Sequence, residues 1–280
     1  MATIRERIRD ISQRDGVYLS DRVRVVSVRP VGESYVRIVV EGACLSAYRP
    51  AFPADAFKLD MGVAGAPAWR ALTVRAFDGR RIECDLALHA GTVATRWAGA
   101  ADRGDEVPLV GFRRDFALGD EADHVLLIAD ASSLPAAAAI LASLPSRVRV
   151  DVLAEAPSAA DRVILGNPRH ATVTWLHHAA PSAGPASPLT TAAGSVEVGA
   201  GTEVWLAAEA ATVRTIRRRL IEEGLPRTRL HASAYWVAGQ TSTERDAHDE
   251  TVYTRAAESG RDVNDLTVQD ELEFGDPVPA

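Results

Sequence analysis

The hydrophobic rhythm of this 280-residue chain changes once, at His124, and the change constrains its architecture more than any other feature. Before it, apolar residues alternate with polar ones. Residues 22–28 and 34–40 set Val and Ile against Arg and Ser around Pro30-Val31-Gly32, and residues 73–77 and 81–89 alternate around Asp78-Gly79, a pair suited to a positive-φ turn. With Phe57-Lys58-Leu59 and residues 106–110 this predicts about six antiparallel strands, close to the count of a small barrel. After His124 the pattern is different. Val125-Leu126-Leu127-Ile128-Ala129 is a continuous apolar run, as expected of a strand buried on both faces of a parallel sheet. A helix over 134–144 follows, with Ser133 as N-cap and Pro135 in its first turn. Strands over 147–154, 172–177, 202–208 and 231–236, and a helix over 212–223 stopped by Gly224, complete an alternating β and α series.

The fold class expected is therefore an N-terminal six-stranded antiparallel β-barrel, residues 1–118, followed by a parallel α/β domain, residues 119–240, and an acidic C-terminal extension, residues 241–280. Ile4, Ile8 and Ile11 make 3–13 a short amphipathic helix. Residues 179–195, rich in Pro, Ser, Gly and Ala, read as a surface loop without chemistry. In the extension, 243–257 reads as helix and the remainder as frayed.

Charge narrows the function classes. The net charge of −7 belongs to the tail: from Val237 to Ala280 there are eleven Asp/Glu against three Arg, which leaves the body near neutral. No basic patch interleaved with aromatics points to nucleic acid. No apolar run approaches a membrane span, and the start lacks a signal-type apolar segment, so the expected location is cytoplasmic, as a monomer or homodimer. Cys44 and Cys84 have no metal-ligand spacing, and no metal is expected. Lys58 is the single lysine beside thirty arginines, which codon bias in a GC-rich genome explains, yet a compact ammonium is the group an arginine replaces least easily.

The stretch from Trp69 to Trp97 gathers the chemistry. A strand carrying Arg70 and Thr73, a turn, a second strand ending at His89 and a helix beginning after Thr92 put a cation, a hydroxyl and free backbone N–H groups in one region, an arrangement suited to phosphate. The order Arg70-Ala71-Leu72-Thr73-Val74-Arg75, then Leu88-His89, then Thr92-Val93-Ala94-Thr95-Arg96-Trp97-Ala98 resembles the flavin-binding segment of the siderophore-interacting proteins, ferric-siderophore reductases of the ferredoxin-reductase superfamily. Further matches are Ala129-Asp130-Ala131-Ser132-Ser133-Leu134-Pro135-Ala136, Val204-Trp205-Leu206-Ala207-Ala208-Glu209 with Val213-Arg214 and Ile216-Arg217, and Tyr235-Trp236-Val237-Ala238-Gly239.

The resemblance implies FAD on the first domain and NADPH or NADH reaching it from the second. It assigns the cofactor contacts to Arg70, Leu72, Thr73, His89, Val93, Ala94, Thr95, Trp97, Asp130, Ser132, Glu209, Arg214 and Arg217. It gives Thr73 and Lys58 catalytic positions and makes Lys58, Tyr235 and Trp236 the contacts to a small-molecule ligand, a ferric siderophore. The chain departs from the pattern in five places: Leu72 replaces a tyrosine, Thr92-Val93 replace Gly-Pro, Ala131 replaces a glutamate, Ala208 replaces a glycine, and Val237-Ala238 replace two basic residues. Two functions follow. One is an FAD-dependent, NAD(P)H-linked reductase releasing Fe(II) from a ferric chelate. The other is a relative without flavin that binds a small molecule in the same cleft, or transforms it without redox chemistry, in a biosynthetic pathway.

Overall fold

The computed structural model describes residues 4–15, 18–49, 53–62, 67–168, 170–178, 183–199 and 201–275. After helix α1 (Ile4–Asp15), the first half builds strands β1 (Leu19–Val31), β2 (Tyr35–Glu41), β3 (Ala56–Asp60), β4 (Trp69–Thr73), β5 (Ala76–Phe77) and β6 (Arg81–Ala87), helix α2 (Val93–Ala100) and strand β7 (Glu106–Arg113). They form one antiparallel sheet in the order β4-β3-β7-β1-β2-β6-β5. The count is seven where the alternation predicts six, because the stretch 73–77 does not stay with one partner. Val74 N–H donates to Asp55 O on the β3 side, and Arg75 N–H to Glu83 O on the β6 side. The two edges of the sheet are thus consecutive pieces of one segment, and the sheet curls around a core of Ile38, Val40, Leu45, Phe57, Leu59, Ile82 and Leu109 without closing its ladder.

The second half carries β8 (His124–Ala129), α3 (Leu134–Ser143), β9 (Arg149–Ala156), β10 (Ala171–His177), α4 (Pro188–Ala193), β11 (Thr202–Glu209), α5 (Ala210–Glu222) and β12 (Leu230–Trp236). Its parallel sheet runs β10-β9-β8-β11-β12. Every residue of β8 and β11 is buried, as the continuous apolar runs require. Leu127 and Ala129 face the layer of α3, while Leu126 and Ile128 face the layer of α4 and α5. The region read as a surface loop is partly core: Ser187 caps α4, and Leu189 and Ala193 are buried beneath α5. Its residues 179–182 lie outside the described residues.

The two halves are latched by a turn. Asp161, fully buried, accepts hydrogen bonds at Oδ1 from the backbone N–H groups of Glu33 and Ser34, both at 2.8 Å, and at Oδ2 from Ser158 at 3.2 Å. Gly32 makes this approach possible: its φ is +64° and a Cβ there would stand 2.5 Å from Asp161 Oδ1. Nearby, Tyr35 donates its hydroxyl to Ala131 O at 2.6 Å and Arg75 donates to Ile164 O at 3.1 Å.

The acidic extension is folded through residue 274, in contrast to the expected fraying. It forms α6 (Ser242–Glu258), opened by a Thr241/Glu244 capping box, and α7 (Leu266–Phe274), capped by Asp265 and stopped by Gly275. Phe274 is buried in the α4/α5 layer, and the Arg217 guanidinium lies 4.6 Å from its ring centre. Burial of one such ring is worth about 2–3 kcal/mol, enough to hold a short helix that its acidic composition would leave loose.

Candidate functional site

The strand order of the parallel sheet locates a crevice. The chain proceeds from β8 toward β10 in one direction and from β11 to β12 in the other, so the carboxyl ends of β8 and β11 flank the switch point, where open α/β sheets take their ligands. Asp130 follows β8 there. Its Oδ1 accepts from Ser132 N–H at 2.9 Å and Ser132 Oγ at 2.6 Å, and its Oδ2 accepts from Trp236 Nε1 at 2.7 Å. Burial raises the Asp130 pKa, and these hydrogen bonds oppose the rise without cancelling it. The charge of Asp130 reaches His89 across the domains; the protein atoms crowding that imidazole lower its pKa, and Asp130 works against them.

On the barrel side, register decides which side chains share a face. Lys58 stands opposite Ala71 and Ala56 opposite Thr73, so Lys58, Ala71 and Thr73 line one face of the β3–β4 ladder. Arg70, opposite Leu59, and Leu72, opposite Phe57, lie on the other. Thr73 and Arg70 therefore flank the strand and do not converge as their proximity in sequence implies. Leu72 departs from its expected role as a ring contact: it is buried in the barrel core with Phe57 and Leu59. Arg70 is half-buried and donates from Nη1 to Trp69 O at 2.8 Å. Burial lowers its pKa, and the charge of Asp246 on α6 counters this.

The helix N-termini are already occupied in part. Thr92 caps α2 by accepting from Thr95 N–H at 3.2 Å, while Thr95 Oγ1 donates to His89 O at 2.8 Å, so these groups fix one another. Ala94 and Trp97 pack against the barrel core. Among the described residues the N–H groups of Val93 and Ala94 have no protein partner, which leaves them as donors of the kind a phosphate takes. At α5 the Glu209 carboxylate accepts from Ala211 N–H at 2.8 Å and Thr212 N–H at 3.0 Å, filling the site a nucleotide phosphate would use. Glu209 is thus a helix cap, not a free ligand group. Arg217 also differs from expectation: it is buried, 3.4 Å from Asp270 and under Phe274. Arg214 and Arg218 remain exposed on the outer face of α5.

Tyr235 and Trp236 turn their polar atoms inward, the first to Asp115 Oδ2 at 2.7 Å, the second to Asp130. Burial opposes ionisation of Asp115, but Arg113, His231 and Tyr235 outweigh it and hold the carboxyl below the usual range. Asp115 escaped notice in the sequence, where only the charged run Arg113-Arg114-Asp115 marks it. Asp246, whose carboxylate lies 3.5 Å from the Lys58 ammonium, had no local signal at all.

An antiparallel sheet curled on itself, joined to a parallel sheet with a crevice at its switch point, defines the class of two-domain proteins with the ferredoxin-reductase fold; a ferredoxin NADP+ reductase from Neisseria gonorrhoeae shares that fold at 12% identity, with a TM-score of 0.59 over 78% of this chain and 99% of that one. Residues 60–115 match the siderophore-interacting FAD-binding domain, and residues 122–239 match the siderophore-interacting protein model. A siderophore utilization protein from T. fusca is 31% identical, with a TM-score of 0.72 over 80% of this chain and 95% of that one. The chain belongs to the siderophore-interacting protein family. A ferric vibriobactin reductase, ViuB, of Vibrio cholerae is 29% identical over 191 residues, covering 66% of this chain and 69% of the relative. The family match supports a flavin and a siderophore-related reductase role. Among the described residues no helix is long and apolar enough to cross a membrane.

Proposed function

We propose that the protein is an FAD-dependent, NAD(P)H-linked reductase of a ferric siderophore or similar chelate, releasing Fe(II). When bound, the flavin supplies the conversion between a two-electron nicotinamide donor and a one-electron ferric acceptor. The chain's own residues bind and orient. In this reading Arg70 and the Val93 and Ala94 N–H groups hold the pyrophosphate, and Thr73 presents its hydroxyl on the Lys58 face of the ladder. Asp130, fixed by Ser132 and Trp236, forms the floor of the crevice, and exposed Arg214 serves the nucleotide. The observation that carries the reading is Arg70: a half-buried guanidinium with a single hydrogen bond among the described residues, inside the segment that matches an FAD-binding domain.

A turnover assay tests it. Protein reconstituted with FAD should reduce a ferric chelate with NADH or NADPH, detected by trapping Fe(II). Arg70→Ala should weaken FAD binding about ten- to a hundredfold, the worth of a charge-assisted hydrogen bond pair. Thr73→Val should keep FAD and lower kcat. No turnover with either nucleotide would overturn the reading. One observation favours the flavin-free alternative: both helix N-termini that would face phosphates carry caps from their own chain, Thr92 and Glu209. Retention of FAD separates the two.

A further inference from the structure

The linker from β7 to β8 is gripped from both sides by adjacent residues. Arg114 points into the barrel, where its guanidinium donates to Asp55 Oδ2 at 2.9 Å and to Arg49 O at 3.2 Å. Asp115 points the other way, onto β12. Its Oδ2 accepts from the Tyr235 hydroxyl at 2.7 Å, while Oδ1 lies 3.5 Å from the mostly exposed Arg113 and 3.8 Å from His231 Nε2. The last distance is too long for a hydrogen bond. His231 is nevertheless buried, with 7% of its side chain exposed, and among the described residues neither ring nitrogen has a hydrogen-bond partner. It stands opposite Trp205, whose indole Nε1 is buried without a partner as well. Buried polar atoms are nearly always paired, so ring and carboxylate face each other across a bond that is not made. The other charges near the ring are engaged elsewhere. On β11 Glu203 holds Arg7 of α1 at 2.8 Å, and Glu6 is the neighbouring half-buried charge of α1. From α7, Glu273 acts on Arg113, and Arg217 of α5 lies under Phe274 on the opposite face of the sheet. Asp115 is therefore the carboxylate open to the ring.

We infer that His231 is an acid-operated latch on the interdomain linker: a proton on its ring closes the gap to Asp115 with a charge-assisted hydrogen bond and fixes the linker to β12. With the ring neutral, the α/β domain holds Asp115 chiefly through Tyr235. With the ring charged, a second bond reaches the free side of the same carboxylate, and the angle between the domains across the crevice is held more firmly. Imidazole is the side chain that gains its charge between about pH 8 and about pH 5. Charge-assisted hydrogen bonds are short and strong, and a buried pair is screened little by salt. The barrel side of the linker, held by the Arg114 guanidinium, has no such proton to gain or lose in that range. The latch acts on the linker whatever the crevice holds.

Hydrogen exchange of the full chain tests the latch, read at the amides of residues 114–119 and corrected for the pH dependence of intrinsic exchange. Between about pH 8 and about pH 5.5 wild type should gain about tenfold in protection there, the worth of one hydrogen bond to a charged group. Added salt should leave the gain in place. His231→Gln, whose polar side chain takes no proton, should show no gain. His177→Gln removes an exposed histidine from β10 and should keep it. Asp115→Asn leaves an oxygen for Tyr235 and should lose the gain with the imidazole still present, and it decides the matter if His231→Gln does not fold. Protection independent of pH in wild type, or an equal gain in wild type and either of the His231 and Asp115 variants, would overturn the latch.

Discussion

Asp161→Ala should cost the protein far more than an ordinary surface change, because one buried carboxylate serves both domains. It receives Glu33 and Ser34 N–H from the β1–β2 turn, and Ser158 N–H as the reciprocal half of a capping box. A hydrogen bond to a charged acceptor contributes about 1.5–3 kcal/mol, discounted where water replaces the acceptor, and loss of a cap costs about 1 kcal/mol. Together these give a loss of about 3–5 kcal/mol, in the range found when one partner of a buried charged contact is removed. Urea unfolding followed by tryptophan fluorescence measures it. Asp161→Asn, which keeps an oxygen toward Glu33 and Ser34, should lose about half as much. Hydrogen exchange at the amides of residues 33 and 34 should accelerate in the alanine variant before exchange in β8 does, because the turn lets go first. A loss under about 1 kcal/mol, or unchanged exchange at the turn, would refute the view that this contact holds the crevice in shape.

Two further outcomes follow. Phe274→Ala should cost about 3 kcal/mol or more at a core position and free α7, so limited proteolysis should cut within residues 259–275 while the rest of the chain stays intact; equal resistance would show that the helix is held by something other than Phe274 and Arg217. His124 is buried, hydrogen-bonded to Thr202 and Asp151 at 2.8 Å, and its pKa lies below the ordinary value, chiefly through burial and then Arg149. Its neutral form is the one the fold favours, so its contribution is complete above the unfolded value of about 6.5 and is lost as pH falls through the lower folded value. His124→Gln should therefore lose less stability than wild type between about pH 7.5 and about pH 5.5, read from urea midpoints; parallel losses would contradict this.

Much of the architecture was legible because it depends on local pattern. The apolar run at β8 predicted a strand buried on both faces, and the helical spacing of Val213, Ile216, Leu220 and Ile221 marks the inner face of α5, on which Ile221 is only partly buried. What escaped depends on partners distant in the chain. The switch from β4 to β5 is made by Asp55 and Glu83, which no reading of residues 73–77 reveals. Arg217 looked available because arginines surround it, yet it sits one turn from Val213 and beside Ile216, at the margin of the buried face, where α7 covers it. That helix itself had signals, Asp265 as cap and Gly275 as stop, masked by its acidity. At the site, the order of the motifs marked segments within the ranges that match the family, but not the hydrogen bonds of Glu209, Tyr235 and Trp236, which bind their polar atoms to the protein's own groups.

The central claim is that the segment around Arg70 holds a flavin even though Leu72 stands where an aromatic ring is expected. It is tested most directly by titrating the purified protein with FAD, following flavin absorption and fluorescence, and desalting. The account predicts that the visible flavin band stays with the protein, one flavin per chain, and that Arg70→Ala releases it. A colourless protein after desalting, with wild type and Arg70→Ala indistinguishable in the titration, would contradict it.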